Sequence, residues 1–493
     1  MSNQSPLAPW LLTLKAQIAD QYMGYQALER YLRQCIVGGQ LTAGTRLPTS
    51  RALAAELGMG RNGVVDAFAS LTHEGLLLTR GRLGTVVASG GAAPARKACA
   101  DVLPRLRQRL PAAQQRAPSQ AHSFTSKLDW RLGQTNTELF PVQVWRAACK
   151  EAGRHVPPLG YGDPQGDAQL RQSLSVWLQA KRSLTIPAQQ IVVTAGAGQA
   201  MDLLACILVK PGDLCAVEDP GYPRIVQALG QQSARLLRIP VDAEGAHIND
   251  LLEHNEFPNL IHLTAAHQYP MGGRLSAARR TTLLQAVRQH GSLIIENEYD
   301  HEFVHEGQRF APLAASAPEH CIVVGTFARA ISPALRLGFI AAPADIVQAV
   351  AQLIAQEQLQ ASWPVQMSAN WLLKSGQLER HLRRVGKCYA AMRAQLKEQL
   401  KPLAPQITLR GDEGGLHVAL DCSAMRAANY SALCQHLQRS GVIFDSINRF
   451  TIHNSKQQVI LMGYAHLSGE ELEQSIQVLK SYASLSLQPK IDF

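Results

Sequence analysis

Gly325-Thr326-Phe327-Ala328-Arg329-Ala330-Ile331-Ser332-Pro333-Ala334-Leu335-Arg336 lies between two apolar runs, Ile322–Val324 and Gly338–Ala341. Short apolar runs bounded by Gly and Pro read as buried strands. The pattern recurs upstream at Ile191–Thr194, Leu214–Glu218, Leu260–Thr264 and Leu293–Ile295, each alternating with a helical stretch. Strands alternating with helices predict an α/β body from about residue 128, built on a mostly parallel central sheet. After Ile191–Thr194, the turn Gly196-Ala197-Gly198-Gln199 opens a helix holding Met201, Leu204 and Leu208. A helix start of that kind suits a phosphate, although G-x-G after a strand is more often only a turn.

The N-terminal stretch has a different rhythm. Leu28, Tyr31, Leu32, Cys35 and Ile36 fall on one helical face between Tyr25 and Gly38. Pro48-Thr49-Ser50 offers caps for a short helix with Leu53, Ala54 and Leu57, which Gly58 breaks. A third helix starts near Gly60-Arg61-Asn62, is expected to bury Val64, Val65, Phe68 and Leu71, and stops at Gly75. Leu76–Thr79 and Thr85–Ala88, around Arg80-Gly81-Arg82-Leu83-Gly84, read as a hairpin. Helix, helix, turn, helix and hairpin make a winged helix-turn-helix, whose second helix of the pair presents its N-terminal end to the major groove.

Charge follows the same division. The 493 residues carry a formal net charge of +10, with nine scattered cysteines and no C-x-x-C pair. Residues 1–90 contribute +3, residues 91–127 contribute +6, and the remainder only +1. A basic excess permits nucleic acid, an anionic membrane or an acidic ligand as partner. The longest apolar stretches are too short to span a bilayer, and no leader pattern opens the chain, so a cytoplasmic protein with no membrane partner is expected. The cysteine usage argues against a disulfide framework and against a metal site. Residues 91–127, rich in Ala, Gln, Pro and Arg, read as a basic linker.

Two resemblances follow from the motifs. Leu47-Pro48-Thr49-Ser50-Arg51-Ala52-Leu53-Ala54, with Arg61-Asn62 and Gly75, resembles the GntR-type winged helix. The resemblance implies that Arg51 works at the groove edge, Arg61 and Asn62 read bases, and Arg80, Gly81 and Arg82 reach the minor groove or phosphates. Tyr161-Gly162-Asp163-Pro164, Glu218-Asp219-Pro220-Gly221-Tyr222-Pro223, His267-Gln268-Tyr269-Pro270, Glu296-Asn297-Glu298-Tyr299-Asp300 and the opening stretch come in the order of a fold-type-I aminotransferase body. A GntR-type head fused to such a body is similar to the MocR-type regulators. The implied layout is a winged helix over 15–90, a linker over 91–127, and an effector and dimerisation body over 128–485 that ends in a smaller α+β subdomain.

The same resemblance makes the departures legible. The position of the family's Schiff-base lysine holds Arg329, after Ala328 in place of Ser. An arginine keeps its proton and has no free amine to condense with an aldehyde. Asn297 stands where the family has an aspartate against the pyridine nitrogen, Met271 replaces the Thr of a Pro-Thr-Gly turn, and Leu461 lies near the expected substrate-carboxylate arginine. Pyridoxal phosphate is the cofactor that the family implies, here non-covalent at most. Ala197, Gly198, Thr326 and Arg336 are the expected anion cradle. Tyr222, Tyr269, Asn297, Tyr299 and Arg329 are expected around the ring or effector. The leading expectation is a DNA-binding regulator, with no catalytic residue, that forms a homodimer on paired half-sites and senses a small anionic or amino-acid-like effector. The alternatives are a pyridoxal-phosphate-dependent aminotransferase carrying a DNA-binding appendage, and an architectural regulator without ligand.

Overall fold

The computed structural model describes residues 10, 25–79, 84–89, 128–303, 311–411, 414–453 and 455–486. The chain divides into two units, Met1–Ser123 and Phe124–Phe493.

In the first unit, α1 (Tyr25–Val37) buries Leu28, Leu32, Cys35 and Ile36. Helix α2 (Ser50–Leu57) starts at Thr49, whose hydroxyl accepts from the Ala52 amide at 3.2 Å, and ends at Gly58 in the left-handed region. Helix α3 (Arg61–His73) buries Val64, Ala67, Phe68 and Leu71. Val65 departs from the expectation and is 43% exposed. The spacing 64, 67, 68, 71 already defines one helical face, and the next residue along turns about 100° away from it. The strands β1 (Leu77–Thr79) and β2 (Thr85–Val87) pair antiparallel, each a residue shorter than expected. These residues pack into one apolar core.

The second unit opens with β3 (Leu128–Asp129), α4 (Val142–Ala152) and α5 (Ala168–Arg182). Then come β4 (Ile191–Thr194), α6 (Ala197–Leu208), β5 (Leu214–Asp219), α7 (Pro223–Gln231), β6 (Arg235–Asp242), β7 (Gly245–Ala246) and α8 (Ile248–Leu252). They are followed by β8 (Leu260–Leu263), α9 (Ala277–His290), β9 (Leu293–Glu298), β10 (Cys321–Thr326) and β11 (Gly338–Ala341). The sheet order is β4-β11-β10-β9-β8-β5-β6-β7. The run from β10 to β6 is parallel; β11 is antiparallel to both β10 and β4, and β7 is antiparallel to β6.

Alternate residues feed two cores. Val193, Ala216, Ile261, Ile294 and Val323 face one layer; Val192, Cys215, Val217, Ile295, Ile322 and Val324 face the other. This is the period-two division of a sheet covered on both sides. Strand β6 was not anticipated. Strand β9 runs three residues further than its apolar part, through buried Glu296, Asn297 and Glu298. Strand β8 stops one residue early, because Thr264 turns its amide and hydroxyl to the Glu218 carboxyl, at 3.0 and 2.6 Å.

Helices α10 (Ala344–Glu357), α11 (Trp363–Lys374) and α12 (Gln377–Leu400) lead into a smaller α+β subdomain. It holds β12 (Thr408–Arg410), β13 (His417–Asp421), α13 (Ala427–Arg439), β14 (Val442–Ile443), β15 (Val459–Gly463) and α14 (Gly469–Ser486). Strands β12, β13 and β15 form an antiparallel sheet, and β14 pairs with β3.

Candidate functional site

Strands β5, β8, β9 and β10 run parallel, and β4 shares their direction because β11 is antiparallel to both of its neighbours. Their carboxyl ends therefore meet at one edge, the usual ligand site of an open α/β sheet. A cleft there encloses about 620 Å³ of empty space, including its open mouth. Ala197, Gly198, Tyr222, Tyr269, Asn297, Tyr299, Thr326, Arg329 and Arg336 all line it, together with Gly196, Ala328, Pro333 and Leu337. The structure thus brings all nine pocket candidates together.

One end of the cleft is made of donors. Helix α6 starts at Gly196, which has a φ of 91° and provides no side-chain cap for the first amides. A β-carbon at Gly196 would lie 3.6 Å from an Arg336 terminal nitrogen, so the guanidinium packs directly over that turn. Gly338 is needed beside it, since a β-carbon there would stand 3.0 Å from the Gly196 backbone. The Ala197 and Gly198 amides, the Thr326 hydroxyl and the Arg336 guanidinium form a set of donors and positive charge suited to an anion.

The other end is aromatic. Tyr269 meets Tyr222 and Tyr299 edge-on, at centroid distances of 5.9 and 5.1 Å. Burial pushes the hydroxyls of Tyr222, Tyr269 and Tyr299 above the ordinary tyrosine range, partly offset by the positive charge of Arg329. All three therefore stay protonated donors at neutral pH. The Tyr299 hydroxyl lies 2.9 Å from His267 Nδ1, which is also 2.8 Å from Asp300 Oδ2. A protonated Nδ1 donates to Asp300, and the Tyr299 proton is then free to point elsewhere. Asn297 is buried, and its Oδ1 has no partner among the described residues. His417 packs against His267, and burial beside that ring lowers it to about 3, which keeps it neutral.

Arg329 reaches back across the chain, and its Nη1 donates to the Gly133 carbonyl. Among the described residues, none that lines the cleft is a lysine. Met271 and Leu461 meet in one apolar cluster with Ala419, Ile447, Phe450 and Val459, and Tyr269 packs against it. His267, Asp300 and Gly133 went unassigned in the sequence reading. His267 and Asp300 belong to the motifs that contain Tyr269 and Tyr299, whereas no spacing signals Gly133.

In the first unit, Arg51 is exposed on the first turn of α2, and Arg61 and Asn62 are exposed at the start of α3. Arg80, Gly81 and Arg82, like the linker, lie outside the described residues. Arg46, which the sequence reading passed over, bridges to Val86 of β2, and its Nε lies 3.5 Å from where a Gly84 β-carbon would stand.

The pattern of aminotransferase class I and II matches residues 84–479. The chain belongs to that family. Ahead of the aminotransferase pattern, residues 24–87 match the bacterial regulatory proteins of the gntR family. Among curated relatives, a probable rhizopine catabolism regulatory protein MocR of Rhizobium meliloti is 29% identical over 470 residues, covering 94% of each chain. The HTH-type pyridoxine biosynthesis transcriptional regulator PdxR of Corynebacterium glutamicum is 31% identical, over 84% of this chain and 89% of that one. The α-aminoadipate aminotransferase LysN of Thermus thermophilus, solved with N-(5'-phosphopyridoxyl)-L-leucine, superposes with a TM-score of 0.65 at 25% identity, over 73% of this chain and 94% of its own. These relatives over most of the chain's length are thus named regulators, and the aminotransferase pattern covers the larger part of this chain.

Proposed function

We propose that this chain is a MocR-type, DNA-binding transcriptional regulator in which residues 15–90 read DNA, 91–127 tether, and 128–485 dimerise and sense a ligand. The observation that carries it is the joining of a winged-helix unit, with Arg61 and Asn62 exposed at the start of α3, to an aminotransferase cleft lined by no lysine among the described residues. Arg51, Arg61 and Asn62 contact DNA, and Arg80, Gly81 and Arg82 extend the contact from the hairpin tip. Exposed Val156, Leu159 and Tyr161 support a homodimer, since apolar side chains left in water favour a covering partner. A partner of this kind places the protein with the DNA, in the cytoplasm.

Arg329 stands in for the Schiff-base lysine, so the body is not an aminotransferase. The cleft suits pyridoxal phosphate held without a covalent bond. Ala197, Gly198, Thr326 and Arg336 take its phosphate, Tyr222 lies against the ring, Tyr299 donates to the phenolic oxygen, and Asn297 faces the ring nitrogen as a neutral amide. When bound, the cofactor supplies an electron-accepting ring. The test is footprinting of the full chain on DNA upstream of its own gene. Protected paired repeats support the reading, and none at moderate salt overturns it.

A further inference from the structure

A second cavity, enclosing about 1100 Å³ of empty space including its open mouth, lies between α5, the turn at His301–Phe303 and α12, and among the described residues it shares no lining residue with the cleft. Trp177 and Lys181 lie one turn apart on α5, and Glu379, Arg383 and Lys387 lie at successive turns of α12. Glu302 forms its deep end. That side chain is 7% exposed, and its Oε2 has no partner among the described residues. The other oxygen lies 3.3 Å from His301 Nε2. The adjacent buried acid, Glu298, is already taken by the Arg182 fork.

A buried carboxyl oxygen without a partner costs stability unless something meets it. At the mouth the charges are reversed. Lys181 is committed to Glu379 at 2.6 Å, whereas Arg383 and Lys387 are exposed and make no ion pair among the described residues. The Trp177 indole, edge-on to His301 at 5.5 Å, supplies a flat apolar wall. Gly386 sits in the opposite wall, inside a helix that glycine weakens, and a β-carbon there would meet nothing within 4 Å. The cavity therefore has a carboxyl inside, cations outside, an aromatic surface between them and space kept clear.

We infer that this cavity is a ligand site for a small aromatic amino acid, its ammonium on Glu302, its carboxylate on Arg383 and Lys387, and its ring against Trp177. The site is independent of what the strand-end cleft holds. Burial, with the like charges of Asp300 and Glu298 close by, pushes the Glu302 carboxyl up to about 8 despite the positive charge of Arg182. An arriving ammonium adds a positive charge in direct contact with Oε2, which has no hydrogen-bond partner among the described residues.

The test is calorimetric titration of the full chain with L-phenylalanine, and with 3-phenylpropionate and phenethylamine, which lack the amine and the carboxylate. Expected is saturable binding of L-phenylalanine and a loss of about tenfold or more with either truncated compound. Glu302→Gln and Gly386→Trp should each weaken it by a similar factor, while Arg336→Ala in the cleft leaves it unchanged. Gly386→Ala, a milder change, should still reduce affinity if the tryptophan variant does not fold. Absence of binding at millimolar L-phenylalanine overturns the proposal. So does binding that survives Glu302→Gln and Gly386→Ala, or that disappears with Arg336→Ala.

Discussion

The Arg329 guanidinium donates to the carbonyl oxygen of Gly133, almost two hundred residues earlier in the chain. Gly133 has a φ of 99°, and a β-carbon there would stand 3.2 Å from an Arg329 terminal nitrogen. A glycine is thus required twice over, for its backbone and for the guanidinium.

Arginine cannot condense with an aldehyde, but a lysine in its place can. Treatment with pyridoxal phosphate and borohydride should leave residue 329 unmodified in the native chain. The variant Arg329→Lys with Asn297→Asp should gain one pyridoxyl adduct there, found by peptide mass mapping. An adduct on the native Arg329 peptide would contradict the non-covalent reading.

Arg61→Ala should weaken binding to the cognate site by about 1–3 kcal/mol if the side chain spans a guanine edge. Affinity for unrelated DNA should fall much less. Fluorescence anisotropy on both duplexes at one salt concentration reads the difference. An equal loss on both would make Arg61 a phosphate contact.

Stability should fall as pH rises from about 6.5 to 8. Burial raises the Glu218 carboxyl to about 7 and those of Glu296 and Glu302 to about 8. The folded chain then holds protons that the unfolded chain has released, so unfolding gains ground with each step upward. His262 and His417 act oppositely: burial lowers both to about 3, and they withdraw stability only below their ordinary value of 6.5. Thermal unfolding at pH 6.5 and 8 should show the fall, and Glu218→Gln should make it smaller.

Gly325→Ala should destabilise the body by about 1–3 kcal/mol or more, through overpacking. A β-carbon at Gly325 would lie 2.1 Å from Phe339 Cζ, in a ring that is 3% exposed. Denaturant unfolding measures the cost, and an unchanged midpoint would mean that the Phe339 ring moves freely.

The strands of the parallel core were legible because Val, Ile and Leu run together wherever both faces are covered. Strand β6 escaped because Arg235, Arg238, Pro240 and Asp242 interrupt its apolar residues, and it lies near the edge of the sheet, where such residues reach water. The end of β9 was hidden for another reason: Glu298 looks like a surface residue until Arg182, 116 positions away, is seen to neutralise it. In the cleft, the motifs of the aminotransferase resemblance pointed to nine of the residues that line it. The Gly133 contact and the His267–Asp300 pair depend on the fold itself, which brings separate segments face to face.

Strand β11 carries a consequence for both arginines of the cleft. The pair Thr326↔Gly338 closes a hairpin whose loop, 327–337, holds Arg329 and Arg336. On its far side, the same Gly338 is zipped to Thr194, just before the turn at Gly196. The two guanidinia therefore ride on one short arch anchored to two strands. That arch, through the grip of Arg329 on the Gly133 carbonyl, ties the anion end of the cleft to the segment with which the body begins.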